Sequence, residues 1–412
     1  MSASLLLNPF LMAPGHRAHA ADVAEFSPAV AQGVRAFHAS FSQYCPTPLV
    51  SLPGLAGQMG IKNVCVKDES KRFGLNAFKV LGGSYAVARC LAERLHLPQQ
   101  GLTKSLLHKA SASSPANGAA HKITFISTTD GNHGRGLAWT ARELGHPCII
   151  YMPKGSEPTR RNNILALGAQ CSITDLNYDD TVRMSWNLAQ QKGYVMVQDT
   201  AWDGYEQVPA WIMQGYLTLA AEILEQMQAA SIRPTHCFLQ AGVGSFAAAV
   251  AGFLVAALGD DAPRIIIVEP HAADCFYQSA LAGDGKPHAV GGSLQTLMAG
   301  LACGEPSTLA WNILKDYTTA FMSCPDYMAA NGMRMLAAPV VGDQPVVSGE
   351  SGAAGAGALH WLTCHPAAAE QREALGLNAE ASVLLISTEG DTVPHIYRSI
   401  VWQGAHADEE YA

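Results

Sequence analysis

The sequence predicts an α/β protein in which parallel, twisted sheets are flanked by helices. Short apolar runs alternate with segments of helical periodicity, as at 122–127, 137–144 and 148–152, and this βαβα order is typical of a parallel, doubly wound sheet. Glycine-rich loops follow several predicted strands, which is where parallel sheets bind their ligands. A chain of 412 residues exceeds a single small core and predicts two domains.

The composition favours a protein that acts on a small molecule. Charged residues make up 15% of the chain and hydrophobic residues 49%, so disorder is not expected. The net charge is -8, without a sustained basic stripe, which argues against nucleic acid as a partner. Apolar stretches are broken before the ~20 residues that a membrane span needs. The ten cysteines form no CxxC pair, which predicts reduced thiols in a cytoplasmic protein; whether Cys275 and Cys303 pair stays open.

The first predicted elements of the chain place one lysine near the start of a helix. Residues 31–44 place apolar side chains at helical spacing, and Pro46 ends that helix because proline disfavours a helical conformation in the residue before it. Residues 63–67 predict a short strand and residues 84–95 an amphipathic helix. Lys79 therefore lies near a helix entrance.

The rest of the chain repeats strand, loop and helix. The predicted strands are 122–127, 148–152, 170–174, 235–240, 264–268 and 383–387. The predicted helices are 137–144, 157–167, 206–228 and 247–258. Glycine-rich loops at 131–136, 242–245 and 390 fall at the carboxyl ends of strands, where we expect ligand binding.

Lys79 is the first candidate for chemistry. Its neighbours Phe78, Val80 and Leu81 are apolar, and desolvation lowers the pKa of a lysine and makes its amine nucleophilic. Such a lysine can form a Schiff base with a carbonyl, including the aldehyde of pyridoxal phosphate. The alternative is a lysine that only extends its apolar stem from a helix start.

Two glycine-containing loops suggest ligand contacts. Residues 241–246 follow a strand and precede a helix of small residues, so their backbone amides can cradle a phosphate, although tight glycine packing explains the pattern equally well. The loop matches neither the Walker pattern nor a full dinucleotide fingerprint. In residues 130–134, Asn132 offers a donor and an acceptor that can hold a phenolate oxygen. His133 beside it is more often structural than catalytic.

Together and in this order, Lys79, the asparagine loop and the 242–245 loop resemble the fold type II family of pyridoxal phosphate enzymes, which includes threonine dehydratase and the tryptophan synthase β-chain. The resemblance runs from about residue 40 to residue 395. It implies a larger cofactor-binding domain of residues 1–80 plus 236–412, a smaller mobile domain of residues 81–235, and a homodimer.

The resemblance also implies roles for single residues. Lys79 is the expected Schiff-base lysine, with Phe78 as its packing neighbour, and Asn132 is expected to bind the 3′-oxygen of pyridoxal 5′-phosphate. Ser387 is expected to face the pyridine nitrogen, with Thr388 as the alternative; a hydroxyl there favours elimination over transamination. The expected phosphate loop consists of Gly242, Val243, Gly244 and Ser245.

Two departures from the dehydratase pattern narrow the range of expected substrates. The chain has Ala77 where dehydratases have serine, and Asp130 where they have a small residue. A carboxylate beside the reacting carbons suits a substrate with a second, cationic amine. The expected substrate contacts are Thr129, Asp130 and Asp199, while Asp203 is expected to be solvated. Contacts of Glu350 and Glu389 with the cofactor ring stay open.

Residues 67–79, 129–139, 199–205 and 211–216 closely resemble a member of this family that acts on 2,3-diaminopropionate. The reaction that this resemblance implies is α,β-elimination of 2,3-diaminopropionate, as D- or L-isomer, to pyruvate and two molecules of ammonia, by a carbon–nitrogen lyase. Lys79 is the expected base for one enantiomer, and Asp130 for the D-isomer on the other face. Two alternatives remain: a threonine or serine dehydratase, which needs no acid at position 130, and an amino-acid sensor that keeps the fold without catalysis.

Overall fold

The structure, a computed structural model, describes residues 3–11, 20–113 and 122–407. The chain forms two compact units. The first consists of Met1–Ser27, Pro46–Lys71 and Leu219–Ala412, and the second of Pro28–Cys45 and Arg72–Thr218. These boundaries differ from the predicted domain boundaries at residues 80 and 235. The division into a larger domain and a smaller mobile domain stays a prediction.

The strands are β1 (Ser4–Leu7), β2 (Leu49–Ser51), β3 (Asn63–Asp68), β4 (Phe125–Thr128), β5 (Cys148–Met152), β6 (Gln170–Ile173), β7 (Val195–Met196), β8 (His236–Gln240), β9 (Arg264–Pro270), β10 (Ala320–Cys324) and β11 (Ser382–Ser387). The α-helices are α1 (Pro28–Ala39), α2 (Pro53–Gln58), α3 (Val80–Arg94), α4 (Lys104–Ser113), α5 (Asn132–Leu144), α6 (Pro158–Leu165), α7 (Tyr178–Lys192), α8 (Gln207–Gly215), α9 (Leu217–Ala229), α10 (Ser245–Leu258), α11 (Cys275–Ala282), α12 (Thr308–Tyr317), α13 (Asp326–Ala337), α14 (Ala354–Cys364), α15 (Ala369–Leu375) and α16 (Pro394–Val401).

The first unit contains a seven-stranded sheet in the order β1-β10-β9-β8-β11-β3-β2. The strands from β10 to β3 are parallel, and the edge strands β1 and β2 are antiparallel to their neighbours. Strands β8, β10 and β11 are buried along their whole length, as expected for parallel strands covered by helices. The sheet thereby delivers Ser387, the last residue of β11, opposite Asp68 of β3 at the carboxyl edge.

The second unit contains a parallel four-stranded sheet in the order β6-β5-β4-β7. Strand β4 is central, buried at every position, and runs into the loop that holds Asp130. Strand β7 pairs with β4 through Met196 and Ile126. The segment after β7, which carries Asp199, therefore leaves the same edge of the sheet as the segment after β4.

The predicted strands are all present, whereas several predicted helix boundaries were wrong. Helices α3, α5 and α10 begin at Val80, Asn132 and Ser245, four, five and two residues before the predicted starts, because glycine and small residues in their first turns hide the apolar periodicity. The single helix predicted at 206–228 is two helices. At Tyr216 the backbone amide bonds the carbonyl of Met213 at 3.1 Å, three residues back, which tightens the chain where α8 ends.

The remaining sequence-level expectations concern membranes, metals and cysteines. In residues 3–11, 20–113 and 122–407, no helix is long and apolar enough to cross a membrane. The same residues contain no group of three His, Cys, Asp or Glu side chains placed to hold a metal ion. None of the ten cysteines forms a disulfide, so Cys275 and Cys303 are not bonded to each other in this structure.

Candidate active site

Lys79 of the second unit lies directly before α3, at its N-cap position. Its side chain is only 18% exposed, and its Nζ donates a hydrogen bond to Asp199 Oδ2 at 2.6 Å. Asp199 is itself 4% exposed. The two residues form a nearly buried ion pair, and they come together although 120 positions separate them in the sequence.

Close helix packing fixes the backbone around Lys79. A Cβ on Gly136 of α5 would lie 2.7 Å from Val80 Cα and 3.3 Å from the carbonyl carbon of Lys79. A Cβ on Gly82 would lie 2.7 Å from side-chain atoms of Ile212 and Tyr216. Both glycines are therefore required by the approach of neighbouring elements, and they hold the entrance of α3 in place.

The predicted lowering of the Lys79 pKa was wrong. Burial does lower it, but the negative charge of Asp199, helped by Tyr216 and Asp130, outweighs burial and holds the pKa of Lys79 well above its ordinary value. Burial acts to raise the pKa of Asp199, yet Lys79 and His133 bring it down to about 2. At neutral pH the pair is an ammonium ion and a carboxylate, and Lys79 must lose a proton before it can act as a nucleophile.

Aromatic side chains form one wall beside Lys79. The ring centroids of Phe78 and Tyr216 lie 4.9 Å apart, and Lys79 Nζ lies 6.0 Å from the Phe78 centroid. Burial raises the pKa of the Tyr216 phenol above its ordinary value, so it stays neutral. Tyr216 was not predicted as a site residue, because an aromatic residue in an apolar helical run has the pattern of an ordinary core position.

The loop after β4 is organised by Thr129. Its buried hydroxyl oxygen accepts hydrogen bonds from the backbone amides of Gly131 at 2.9 Å and Gly134 at 3.1 Å. Asn132 is half-buried as the first residue of α5. His133 is 2% exposed and donates from Nε2 to the carbonyl of Val197 at 2.8 Å, which links the loops after β4 and β7.

Asp130 forms a second ion pair in this unit. Its Oδ2 accepts a hydrogen bond from Nη1 of Arg160 at 2.8 Å. Arg160 is 6% exposed, whereas Asp130 is 27% exposed. Sequence reasoning missed Arg160, which lies in α6 with no local motif around it.

The first unit contains the predicted phosphate loop. Helix α10 begins at Ser245, and Gly244 before it has a left-handed backbone with φ +89°. A Cβ on Gly244 would overlap the Phe276 ring, and one on Gly242 would lie 3.1 Å from Leu301 Cα. Val243 is held by its carbonyl, which accepts from the backbone amide of Ser307 at 3.0 Å. The result is a glycine turn at a helix N-terminus, which suits a phosphate.

The end of β11 presents two buried hydroxyl groups. Ser387 Oγ donates to Ser348 Oγ at 2.8 Å and lies 3.3 Å from the carbonyl of Glu389. Thr388 Oγ1 accepts from Gln240 Nε2 at 3.1 Å. Glu350 and Glu389 are also buried, at 3% and 2% exposure. Which hydroxyl faces the pyridine nitrogen stays a prediction.

Both clusters fit parts of pyridoxal phosphate. The second unit offers a lysine amine in a nearly buried site, with an aromatic wall and the amide of Asn132 on the neighbouring helix. The first unit offers a turn with no room for a Cβ at the start of a 14-residue helix, together with hydroxyl groups at a strand end. These are the donor types that the aldehyde, phosphate and ring of the cofactor require.

Comparison with known proteins identifies the class. The family described as pyridoxal-phosphate dependent enzyme matches residues 41–389, and the chain belongs to this family. The predicted fold class and cofactor are thereby confirmed.

Individual members of the family show a more specific similarity to this chain. The chain is 52% identical to diaminopropionate ammonia-lyase from Escherichia coli (strain K12) over 382 residues, covering 93% of this chain and 94% of the relative. It is also similar to the crystal structure of the Escherichia coli diaminopropionate ammonia lyase in complex with D-serine, with a TM-score of 0.89, 48% identity and 98% of each chain covered. The crystal structure of that enzyme with an aminoacrylate-PLP azomethine reaction intermediate gives a TM-score of 0.88 at 48% identity, again over 98% of each chain.

Proposed function

We propose that this chain is a pyridoxal 5′-phosphate dependent carbon–nitrogen lyase that converts D- and L-2,3-diaminopropionate to pyruvate and two molecules of ammonia. One water is consumed, since the aminoacrylate released by α,β-elimination of the β-amine hydrolyses to pyruvate and the second ammonia. The relatives with this activity match the chain over nearly its whole length.

The substrate assignment rests on the position of the Asp199 carboxylate. It already holds an ammonium group, that of Lys79, at 2.6 Å in a nearly buried position. A substrate with a second amine can present its own ammonium to the same carboxylate, whereas serine or threonine presents a neutral hydroxyl that leaves the charge unbalanced. Asp130 adds a second carboxylate in the same unit, and Thr129 shapes the loop that carries it.

Each predicted site residue has a proposed role toward the cofactor. When bound, pyridoxal phosphate supplies an aldehyde for a Schiff base and a ring that acts as an electron sink. Lys79 anchors it, Phe78 packs beside Lys79, Asn132 holds the 3′-oxygen and Ser387 faces the pyridine nitrogen. The residues proposed to hold the phosphate are Gly242, Val243, Gly244 and Ser245.

Two bases on opposite faces account for turnover of both enantiomers. Lys79 Nζ, once displaced from the cofactor, takes the Cα proton of the L-isomer. Asp130 takes the Cα proton of the D-isomer from the other face. Both groups are parts of one unit, which keeps their separation independent of any domain movement.

Assembly and location follow from the family resemblance. We propose a homodimer in the cytoplasm, in which a smaller domain closes over the substrate. Sedimentation of the purified protein tests the dimer, and a monomer that retains full activity would contradict it.

The experiment that tests the function is pyruvate formation with D-diaminopropionate, L-diaminopropionate, D-serine, L-serine and L-threonine under identical conditions. We expect kcat/KM to be highest for the two diaminopropionate isomers. A higher kcat/KM for threonine or serine would identify a dehydratase instead. Binding of an amino acid without pyruvate formation, in protein that carries the cofactor, would identify a sensor.

A further inference from the structure

We propose that Arg160 is a positioning residue that fixes the carboxylate of Asp130 for turnover of D-diaminopropionate and thereby sets the ratio of D- to L-isomer activity. The inference rests on the proposed function, because it gives Asp130 its substrate.

The geometry joins the two side chains through one carboxylate oxygen. Arg160 Nη1 donates to Asp130 Oδ2 at 2.8 Å and lies 3.5 Å from the backbone carbonyl of the same residue. Within the part of the chain that the structure describes, Oδ1 of Asp130 accepts no hydrogen bond from the protein. One oxygen is thus held while the other is left for substrate, on a side chain that is 27% exposed.

The placement of Arg160 favours its ion pair with Asp130. Arg160 lies in the first turn of α6, which begins at Pro158, and the N-terminus of a helix carries a partial positive charge that repels a cation. The Arg160 side chain is also only 6% exposed, and a buried charge is costly unless it is paired. The Asp130 carboxylate reduces both costs, which favours the ion pair in the folded protein.

The neighbouring glycine makes room for the arginine stem. A Cβ on Gly131 would lie 2.8 Å from Arg160 Cδ and 3.2 Å from its Cβ and Cγ. The methylene groups of Arg160 therefore pack on the backbone of the residue that follows Asp130. This contact fixes the guanidinium relative to the loop as well as to the carboxylate.

The ion pair between Arg160 and Asp130 also gives the Asp130 carboxylate a partner different from that of Asp199, which binds Lys79. Lys79 is held by Asp199 at 2.6 Å, and the charge of Asp130 also reaches Lys79, since it contributes to raising the lysine pKa. Without Arg160, the Asp130 carboxylate would lose the partner that fixes its orientation. A base displaced by about 1 Å loses about 100-fold in rate. The L-isomer, which uses Lys79, would not lose its base.

The test compares both enantiomers in the same protein. We expect Arg160→Gln to lower kcat/KM for D-diaminopropionate by about 100-fold relative to the L-isomer, mainly through kcat. The L-isomer reports at the same time on folding and cofactor binding. The visible absorbance of the bound cofactor and the midpoint of thermal unfolding are measured for the same samples, and we expect the absorbance to remain that of the parent protein.

Arg161→Gln is the matched control. Arg161 is the next residue of α6, and its Nε donates to the carbonyl of Cys171 at 3.3 Å, away from Asp130. This variant removes the same charge from the same helical turn, and we expect its D to L ratio to equal that of the parent protein.

Chemical rescue separates positioning from folding. Arg160→Ala leaves space for a free guanidinium ion. Guanidinium, added at concentrations too low to unfold the protein, should restore D-isomer activity more than L-isomer activity. Arg160→Lys should keep part of the D-isomer activity, because it returns the charge without the planar guanidinium group. Equal losses for both isomers in Arg160→Gln, with unchanged absorbance, would overturn the proposal. If the parent protein turned over neither isomer, the proposed function would fail instead.

Discussion

Lys79 Nζ lies 2.6 Å from Asp199 Oδ2, and this distance decides the protonation state of the residue on which the proposed reaction depends. Burial acts to lower the pKa of Lys79, and the carboxylate reverses that effect. The carboxylate therefore holds the lysine as an ammonium ion, and the amine must lose this proton before it can act as a nucleophile.

Replacing Asp199 with asparagine should lower the pKa of Lys79. Once the carboxylate charge is gone, burial becomes the dominant effect. Cofactor capture requires a neutral amine, so the pH at which capture reaches half its maximal rate should fall. Stopped-flow absorbance with pyridoxal phosphate added to the cofactor-free protein measures this pH. Asp203→Asn, at an exposed position of the same loop, should leave it unchanged, and an upward shift in Asp199→Asn would contradict the assignment.

The same ion pair has a defined effect on stability. The pKa of Lys79 is raised, so its contribution is complete below the ordinary value of 10.5 and is lost as pH rises through the higher pKa of the folded state. The pKa of Asp199 is lowered, so its contribution is complete above 3.8 and is lost as pH falls through about 2. The difference in free energy of unfolding between parent protein and Asp199→Asn should be constant from pH 3.8 up to the lowered pKa that Lys79 has in the variant, and it should decrease as pH falls below 3.8. Urea unfolding at several pH values measures it, and a difference that did not decrease in acid would exclude this pair as its source.

Asp130→Asn should remove D-isomer activity far more than L-isomer activity. The amide keeps the size of the side chain but cannot take a proton, and loss of a general base typically costs about 100- to 10,000-fold. Pyruvate formation from each isomer measures the change. Equal losses on both isomers would sink the assignment of two bases to two faces.

Local patterns in the sequence were sufficient for the parts of the site that are contiguous. The glycine turn at 242–245 and the loop at 130–134 each lie in a short segment, so their place at strand ends could be predicted, as could the position of Lys79 near a helix entrance. The roles of these residues toward the cofactor stay predictions. The strands were predictable for the same reason, because each of them is a short buried run.

Contacts between distant segments could not be predicted. The direction of the Lys79 pKa shift depends on Asp199, and the ion pair of Asp130 depends on Arg160, 30 positions away. Each of these residues has an ordinary local sequence. Tyr216 was missed because its apolar helical surroundings are those of a core residue, and the starts of α3 and α5 were missed because glycines that allow close helix packing break the periodicity.

Removing one partner of the Lys67–Glu222 pair should strongly destabilise the protein. Both side chains are fully buried, and Lys67 Nζ donates to Glu222 Oε2 at 2.7 Å, to the carbonyl of Thr47 at 2.8 Å and to Gln226 Oε1 at 2.8 Å. Lys67→Met removes the ammonium group that lies 2.7 Å from the buried Glu222 carboxylate, and breaking a buried ion pair in this way costs about 3–5 kcal/mol. Urea unfolding measures the loss. The double variant Lys67→Met/Glu222→Leu should recover most of it, and equal stability of the single and double variants would argue against an uncompensated charge.

Gly136→Ala should displace the entrance of α3 and weaken cofactor binding. The added Cβ would lie 2.7 Å from Val80 Cα and 2.9 Å from Val80 N, and backbone atoms cannot move aside as the end of a side chain can. Overpacking of this kind costs about 1–3 kcal/mol, and the strain falls on the residue next to Lys79. Gly33→Ala is the control, since Gly33 is exposed in α1 and a Cβ there meets nothing within 4 Å; it should stabilise the helix by about 1 kcal/mol. Thermal unfolding and pyridoxal phosphate titration distinguish the two variants, and a Gly136→Ala protein with unchanged stability and cofactor affinity would show that the approach of α5 to Val80 does not hold Lys79 in place.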